Sequence, residues 1–248
     1  NVLEQQLTAG ERQAPLVLAL ERAVSLIRRE LFVPLDCLQE SAKDEAIALD
    51  ATGMATVSAL HAYLKTYMLA DIKPGMRVLD LGGGTGYGAS LLCELVGETG
   101  KVVSIELDPA LVELGRQIAH PRAVLIAADA QELDSLLAAA SSLGEGPFST
   151  GSSHRFDAIV CGFAAKKLDP VLGQVLRPGA VIVTPVASEW GQHLTRATWN
   201  GSSFESVEQL DGVYYVKARS REELPRAVAK TTQGSPAKSE ARRLPIID

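Results

Sequence analysis

Three carboxylates and a run of glycines carry the chemistry this sequence offers. In 78-VLDLGGGTGYG-88, Asp80 precedes Gly82, Gly84 and Gly86 at alternate positions, and the next β-rich run, 101-KVVSIE-106, ends on Glu106, twenty-four residues after Gly82. A third acid, Asp129, closes 125-LIAADA-130. A strand that runs through glycines into a helix lets backbone amides approach a ligand, and an acid ending the following strand can accept both hydroxyls of a ribose. Spaced glycines alone are a weak signal, because tight strand-to-helix turns use them for conformational reasons. Three acids at successive strand ends around one such loop form a far more specific pattern.

The acids also discriminate between ligands. A pyrophosphate needs an uncluttered helix N-terminus, and Asp80, two residues before the first glycine, would repel it. An acid there suits an ammonium group, while Asp129 suits the amino group of an adenine. S-adenosylmethionine carries both and is favoured over a dinucleotide. The cofactor site read this way comprises Asp80, Gly82, Gly84, Glu106 with the adjacent Leu107, and Asp129 with the adjacent Ala130.

Ahead of the loop, 54-MATVSALHAYLK-65 places Ser58 before an amphipathic run. Ser58 fits the N-cap of a helix over about 59–70, since its hydroxyl would satisfy an orphan amide there. Its hydroxyl could instead face whatever the glycine loop binds.

The elements that must position these residues follow from periodicity. Apolar residues at helical spacing predict a helix within 11–31. Strands are expected at 76–81, 101–106, 123–128, 156–162 and 180–186, with helices at about 86–97, 109–119, 131–140 and 169–176. Strands alternating with helices imply βαβ units and a mainly parallel sheet. Residues 192–216 read as a hairpin turning at Asn200-Gly201, with 212-GVYYVKA-218 as a further antiparallel strand. The Gly/Ser-rich 141–155 and the tail from about Ala227 lack apolar periodicity. The expected division is an N-terminal helical segment with the serine motif over 1–70, a cofactor-binding domain over 71–226, and a tail over 227–248.

Bulk properties narrow the class. The 248 residues are 46% hydrophobic, enough for a globular core, and the formal charge of −6 argues against a general nucleic-acid binder. Cys37, Cys93 and Cys161 are widely separated, and with four unclustered histidines they present no metal-ligand spacing. No apolar run is long enough to cross a membrane and no secretory pattern is visible, so the expected compartment is the cytoplasm.

With these residues in place, the chain resembles class I methyltransferases, and within them the protein-L-isoaspartate O-methyltransferases. That family's Thr-Ile-Ser-Ala-Pro-His-like motif is matched by 56-TVSALH-61, and its late segment is echoed by 160-VCGFAAKKLDPVLGQVLRPGAVIVTPVASEWGQ-192. The likeness spans roughly residues 15–220. It implies an α/β fold: a Rossmann-like, doubly wound, mostly parallel sheet with an antiparallel C-terminal hairpin and an N-terminal helical segment. It implies S-adenosylmethionine as cofactor, Ser58 as the catalytic residue, further cofactor contacts from Thr56, Val57, Ser58, His61 and Gln192, and a peptide or protein substrate bearing aspartate or isoaspartate. The departures are Leu60 for the family's proline, Ala62 for its methionine, and Ala164-Ala165-Lys166-Lys167 for a proline-bounded segment. They fall where substrate is expected and suggest altered substrate choice, as in relatives that tailor aspartate in peptides. An RNA base methyltransferase and a non-catalytic binding module are the alternative readings.

Overall fold

The computed structural model describes residues 14–144 and 155–224. Most of the glycine- and serine-rich stretch at 141–155, and the tail from Ala227, lie outside the described residues.

The chain opens with α1 (Pro15–Leu26), shorter than the helix expected over 11–31. Pro15 sets its first turn, and Ile27 leaves it in an extended conformation, after which Arg29–Phe32 forms only a 3-10 turn. A small antiparallel hairpin that the sequence did not suggest follows, with β1 (Ile47–Ala48) paired to β2 (Thr56–Val57). Then come α2 (Leu60–Leu69), β3 (Arg77–Leu81), α3 (Tyr87–Val96), β4 (Lys101–Glu106), α4 (Pro109–Ile118), β5 (Ala123–Ala127) and α5 (Leu133–Ser141). The remainder is β6 (Phe156–Cys161), β7 (Leu176–Ser188), β8 (Gly191–Trp199) and β9 (Phe204–Val213).

Seven strands form one sheet in the order β5-β4-β3-β6-β7-β8-β9. The pairs from β5 to β7 are parallel, and β8 and β9 add antiparallel. Alternation along β3 builds a core on each face. Val78 packs with α1, α2 and α3 residues such as Leu20, Leu64 and Leu91, while Leu79 and Leu81 pack with Leu136 and Ala139 of α5. The chain leaves β3 for β4 on one side and returns to β6 on the other, so the strand order reverses at the carboxyl end of β3. Ligands of open α/β sheets bind at such a crevice.

Two expectations are corrected, and the hairpin turn expected at Asn200-Gly201 is present but four residues long. Residues 169–176 form a 3-10 turn (Pro170–Val175), not an α-helix. Gly173 packs so closely under the Trp199 ring that a Cβ there would sit 2.4 Å from it, and Asp169 caps the tight turn through the Val171 amide. The β8–β9 turn runs through Asn200-Gly201-Ser202-Ser203, closed by the Asn200 amide on the Ser203 carbonyl at 3.1 Å, with the Asn200 side chain accepting from both serine amides. After Val213 the GVYYVKA run leaves the sheet edge. It turns back as a strap, bonded to Ala164 through Val216 and Ala218, where it makes a parallel bridge in place of an antiparallel strand. No helix among the described residues is long and apolar enough to cross a membrane.

Candidate active site

The glycine loop leaves β3 at the strand-order reversal. Gly84 sits at φ +56°, and its amide donates to Glu106 Oε2 at 2.8 Å. Glu106 Oε1 accepts from the Asp108 amide at 2.9 Å, so the carboxylate at the end of β4 is fixed against the loop. Gly83 is required for a different reason: a Cβ there would lie 1.8 Å from Ser104 Oγ and 2.9 Å from Asp80 Oδ2. The backbone passes directly over the Asp80–Ser104 pair, whose hydroxyl-to-carboxylate bond is 2.9 Å.

Burial pushes the Asp80 carboxyl up to about 6, with the Ser104 hydrogen bond opposing the shift and the charge of Glu106 adding to it. Near neutral pH this is a desolvated acid whose ionised form gains from a cation. At the end of β5, Asp129 is half-buried and accepts the Gln131 amide at 2.9 Å through one oxygen.

These groups converge. One cavity at the carboxyl ends of the strands is bordered by Gly82, Gly84, Glu106 and Asp129, with Leu107, Ala130 and Thr56 completing that wall. A smaller cavity beside it is bordered by Thr56, Val57, Ser58, Asp80 and Gly82, and a third, behind Ser58, by Asp80, Tyr63, Thr66, Tyr67 and Tyr215. The donor set fits S-adenosylmethionine: a buried acid for the ammonium, an amide-anchored acid for the ribose, a third acid for the adenine, and a loop without side chains between them.

Two residues expected at the cofactor are placed elsewhere. His61 is engaged by Asp44, which accepts its amide at 2.9 Å and faces its Nδ1 at 3.0 Å, and it borders none of the three cavities. Gln192 clasps the strap: its Nε2 donates to the Tyr215 carbonyl at 3.0 Å and its Oε1 accepts the Tyr215 amide at 2.7 Å. Ser58 is not the helix cap. That position is Ala59, whose side chain makes no capping bond, and Ser58 borders the two smaller cavities.

Sequence reasoning missed the strap. Val216–Arg219 form a wall of the larger cavity, with the Gln131 side chain donating to the Arg219 carbonyl at 3.1 Å and the Arg219 guanidinium 3.7 Å from Asp50. Its β-rich composition hid this role. Gly162 and Phe163, at the end of β6, were missed as well; Gly162 borders all three cavities. A small residue where a strand meets a ligand crevice was the available signal.

Comparison with known proteins agrees with this geometry. The family model described as Protein-L-isoaspartate(D-aspartate) O-methyltransferase (PCMT) matches residues 5–223. A protein-L-isoaspartate O-methyltransferase of Methanothrix thermoacetophila is 33% identical over 194 residues, covering 78% of this chain and 84% of that one. One from Pyrococcus horikoshii is 32% identical over 198 residues, covering 80% and 79%. A Plasmodium falciparum crystal structure, described as a protein-L-isoaspartate O-methyltransferase beta-aspartate methyltransferase in complex with S-adenosyl-L-homocysteine, has the same fold. Its TM-score is 0.65 at 19% identity, with coverage of 81% and 90%.

Proposed function

As the chain belongs to the protein-L-isoaspartate(D-aspartate) O-methyltransferase family, we propose that it methylates the side-chain carboxylate of an isoaspartate or aspartate within a peptide or protein. Membership makes it an S-adenosylmethionine-dependent carboxyl O-methyltransferase. The observation that supports the acceptor assignment is that the cavity lined by Glu106 and Asp129 adjoins, through Thr56, Gly82 and Gly162, a smaller one bordered by both Asp80 and Ser58, where the cofactor's ammonium end and the acceptor would meet.

The bound cofactor supplies an electrophilic methyl group on a sulfonium. Asp80 would hold its ammonium, Glu106 its ribose hydroxyls and Asp129 its adenine amino group. The acceptor carboxylate provides the electron pair for the new O–CH3 bond as the S–CH3 bond breaks, and the released thioether is neutral. An ionised carboxylate is already a nucleophile, so no base is needed and the protein's task is alignment and exclusion of water. Ser58 is the residue proposed to orient the acceptor oxygen. The helix start does not use its side chain as a cap, and the residue borders the small cavities.

The ester formed carries methoxide, a better leaving group than the oxide of an ionised acid. Attack by the next backbone nitrogen then expels methanol and closes a succinimide. Isoaspartate as acceptor is supported by the family, and aspartate tailoring by the substitutions at Leu60 and Lys166-Lys167. The test is transfer of label from S-adenosylmethionine to matched peptides differing only in isoaspartate or aspartate, with an RNA pool alongside. Base-labile label in isoaspartate alone establishes a repair-type acceptor, and in aspartate alone a tailoring one. Label in RNA, or binding without transfer, overturns the proposal.

A further inference from the structure

Ser58 lies between two elements and its backbone is held by side chains, not by a strand ladder or a helix turn. The β1–β2 pairing ends at Val57, and α2 begins at Leu60, so the serine belongs to neither hydrogen-bond pattern. Side chains engage both of its backbone polar groups instead. The Ser58 N–H donates to the phenol oxygen of Tyr63 at 3.3 Å, and its carbonyl accepts from Nη2 of Arg29 at 2.9 Å.

Each partner is itself fixed. Arg29 is only 5% exposed, and its guanidinium also donates to the carbonyls of Ser41, Lys43 and Glu45 at 3.1, 2.7 and 2.7 Å. These carbonyls, with that of Ser58, are its hydrogen-bond acceptors, a costly arrangement for a buried cation where apolar packing would serve a purely structural tie. The planar fork of the guanidinium reaches 41–45 and 58 at once, which a lysine could not do. The Tyr63 ring packs edge-on against Tyr87 at 5.6 Å and tilted against Tyr67 at 5.9 Å. Gly88 leaves room for it, since a Cβ there would lie 2.9 Å from the ring. The phenol oxygen is thus placed by ring packing, independently of the bond it accepts.

We propose that Arg29 and Tyr63 are positioning residues that clamp Ser58 by its backbone N–H and C=O and so aim its hydroxyl at the acceptor carboxylate. The inference rests on the role proposed for that serine. Neither clamp residue borders the larger cavity that holds Glu106 and Asp129, so the cofactor's nucleoside contacts do not involve them.

Tyr63→Phe tests the clamp, because it keeps the ring contacts and removes only the oxygen. The expected result is a kcat about tenfold lower, with KM for S-adenosylmethionine within about twofold and the thermal midpoint nearly unchanged. The double variant Ser58→Ala/Tyr63→Phe should be no slower than Ser58→Ala alone, since both changes remove one function. A full-speed Tyr63→Phe, or penalties that multiply in the double variant, overturns the clamp while a slow Ser58→Ala leaves the serine's role standing. A full-speed Ser58→Ala removes both. Arg29→Lys supplies the second arm: a folded variant with wild-type kcat also refutes the clamp.

Discussion

The carboxylate of Asp44 holds His61 twice, accepting its backbone amide at 2.9 Å and facing its ring Nδ1 at 3.0 Å. That amide is one of the orphan donors in the first turn of α2. An acid seventeen residues upstream therefore serves the helix start that Ser58 was expected to cap.

Stability should separate the two residues. Asp44→Ala should lower unfolding free energy by about 1 kcal/mol, as loss of a capping acceptor does, whereas Ser58→Ala should change it by less than about 0.5 kcal/mol. Urea denaturation of both variants measures the difference.

The second expectation concerns pH. With the Asp80 carboxyl at about 6 in the fold against 3.8 ordinarily, the native protein binds this proton more tightly than the unfolded chain. Stability from this group therefore declines as pH rises from about 4 through about 6, and above that window the cofactor-free protein carries the whole penalty, about 3 kcal/mol. Asp80→Asn should stabilise the apo protein at pH 7 by an amount of that order, with the gain vanishing below about pH 4. Its affinity for S-adenosylmethionine should fall. Denaturation at the two pH values and calorimetry give both readouts.

Glu106→Gln should weaken cofactor binding about tenfold to a hundredfold, the range for losing charge-assisted bonds to hydroxyls. Because Oε2 and Oε1 also accept the Gly84 and Asp108 amides, the thermal midpoint should drop as well. Titration calorimetry together with a melting curve checks the pair of effects.

Gly83→Ala should be among the most damaging single substitutions in the loop. Its Cβ would collide with Ser104 Oγ and crowd Asp80, so the buried acid would lose its hydroxyl donor. A destabilisation of about 2 kcal/mol or more is expected, with loss of cofactor uptake. Soluble yield, melting temperature and equilibrium binding test it.

The parallel strands were legible because central strands buried on both faces must read as short apolar runs between turns. The acids were legible for a related reason: β3, β4 and β5 deliver Asp80, Glu106 and Asp129 to one end of the sheet. What stayed hidden depends on partners distant in sequence. Nothing near His61 announces Asp44, nothing near Gln192 announces Tyr215, and Arg29 lies twenty-nine residues from the serine it binds. The 3-10 turn at Pro170–Val175 was read as α-helix because the Trp199 ring that compacts it belongs to β8. The strap was read as a strand because β-rich composition describes local preference, not where a segment finds its partner.

Tyr215 borders the chamber behind Ser58, and the next four residues, Val216–Arg219, border the space for the nucleoside. Five consecutive residues thus form a single post bordering both spaces. A substitution in this run would therefore be felt in both spaces at once. The bonds between Ala164 and both Val216 and Ala218 hold the run in place against the end of β6.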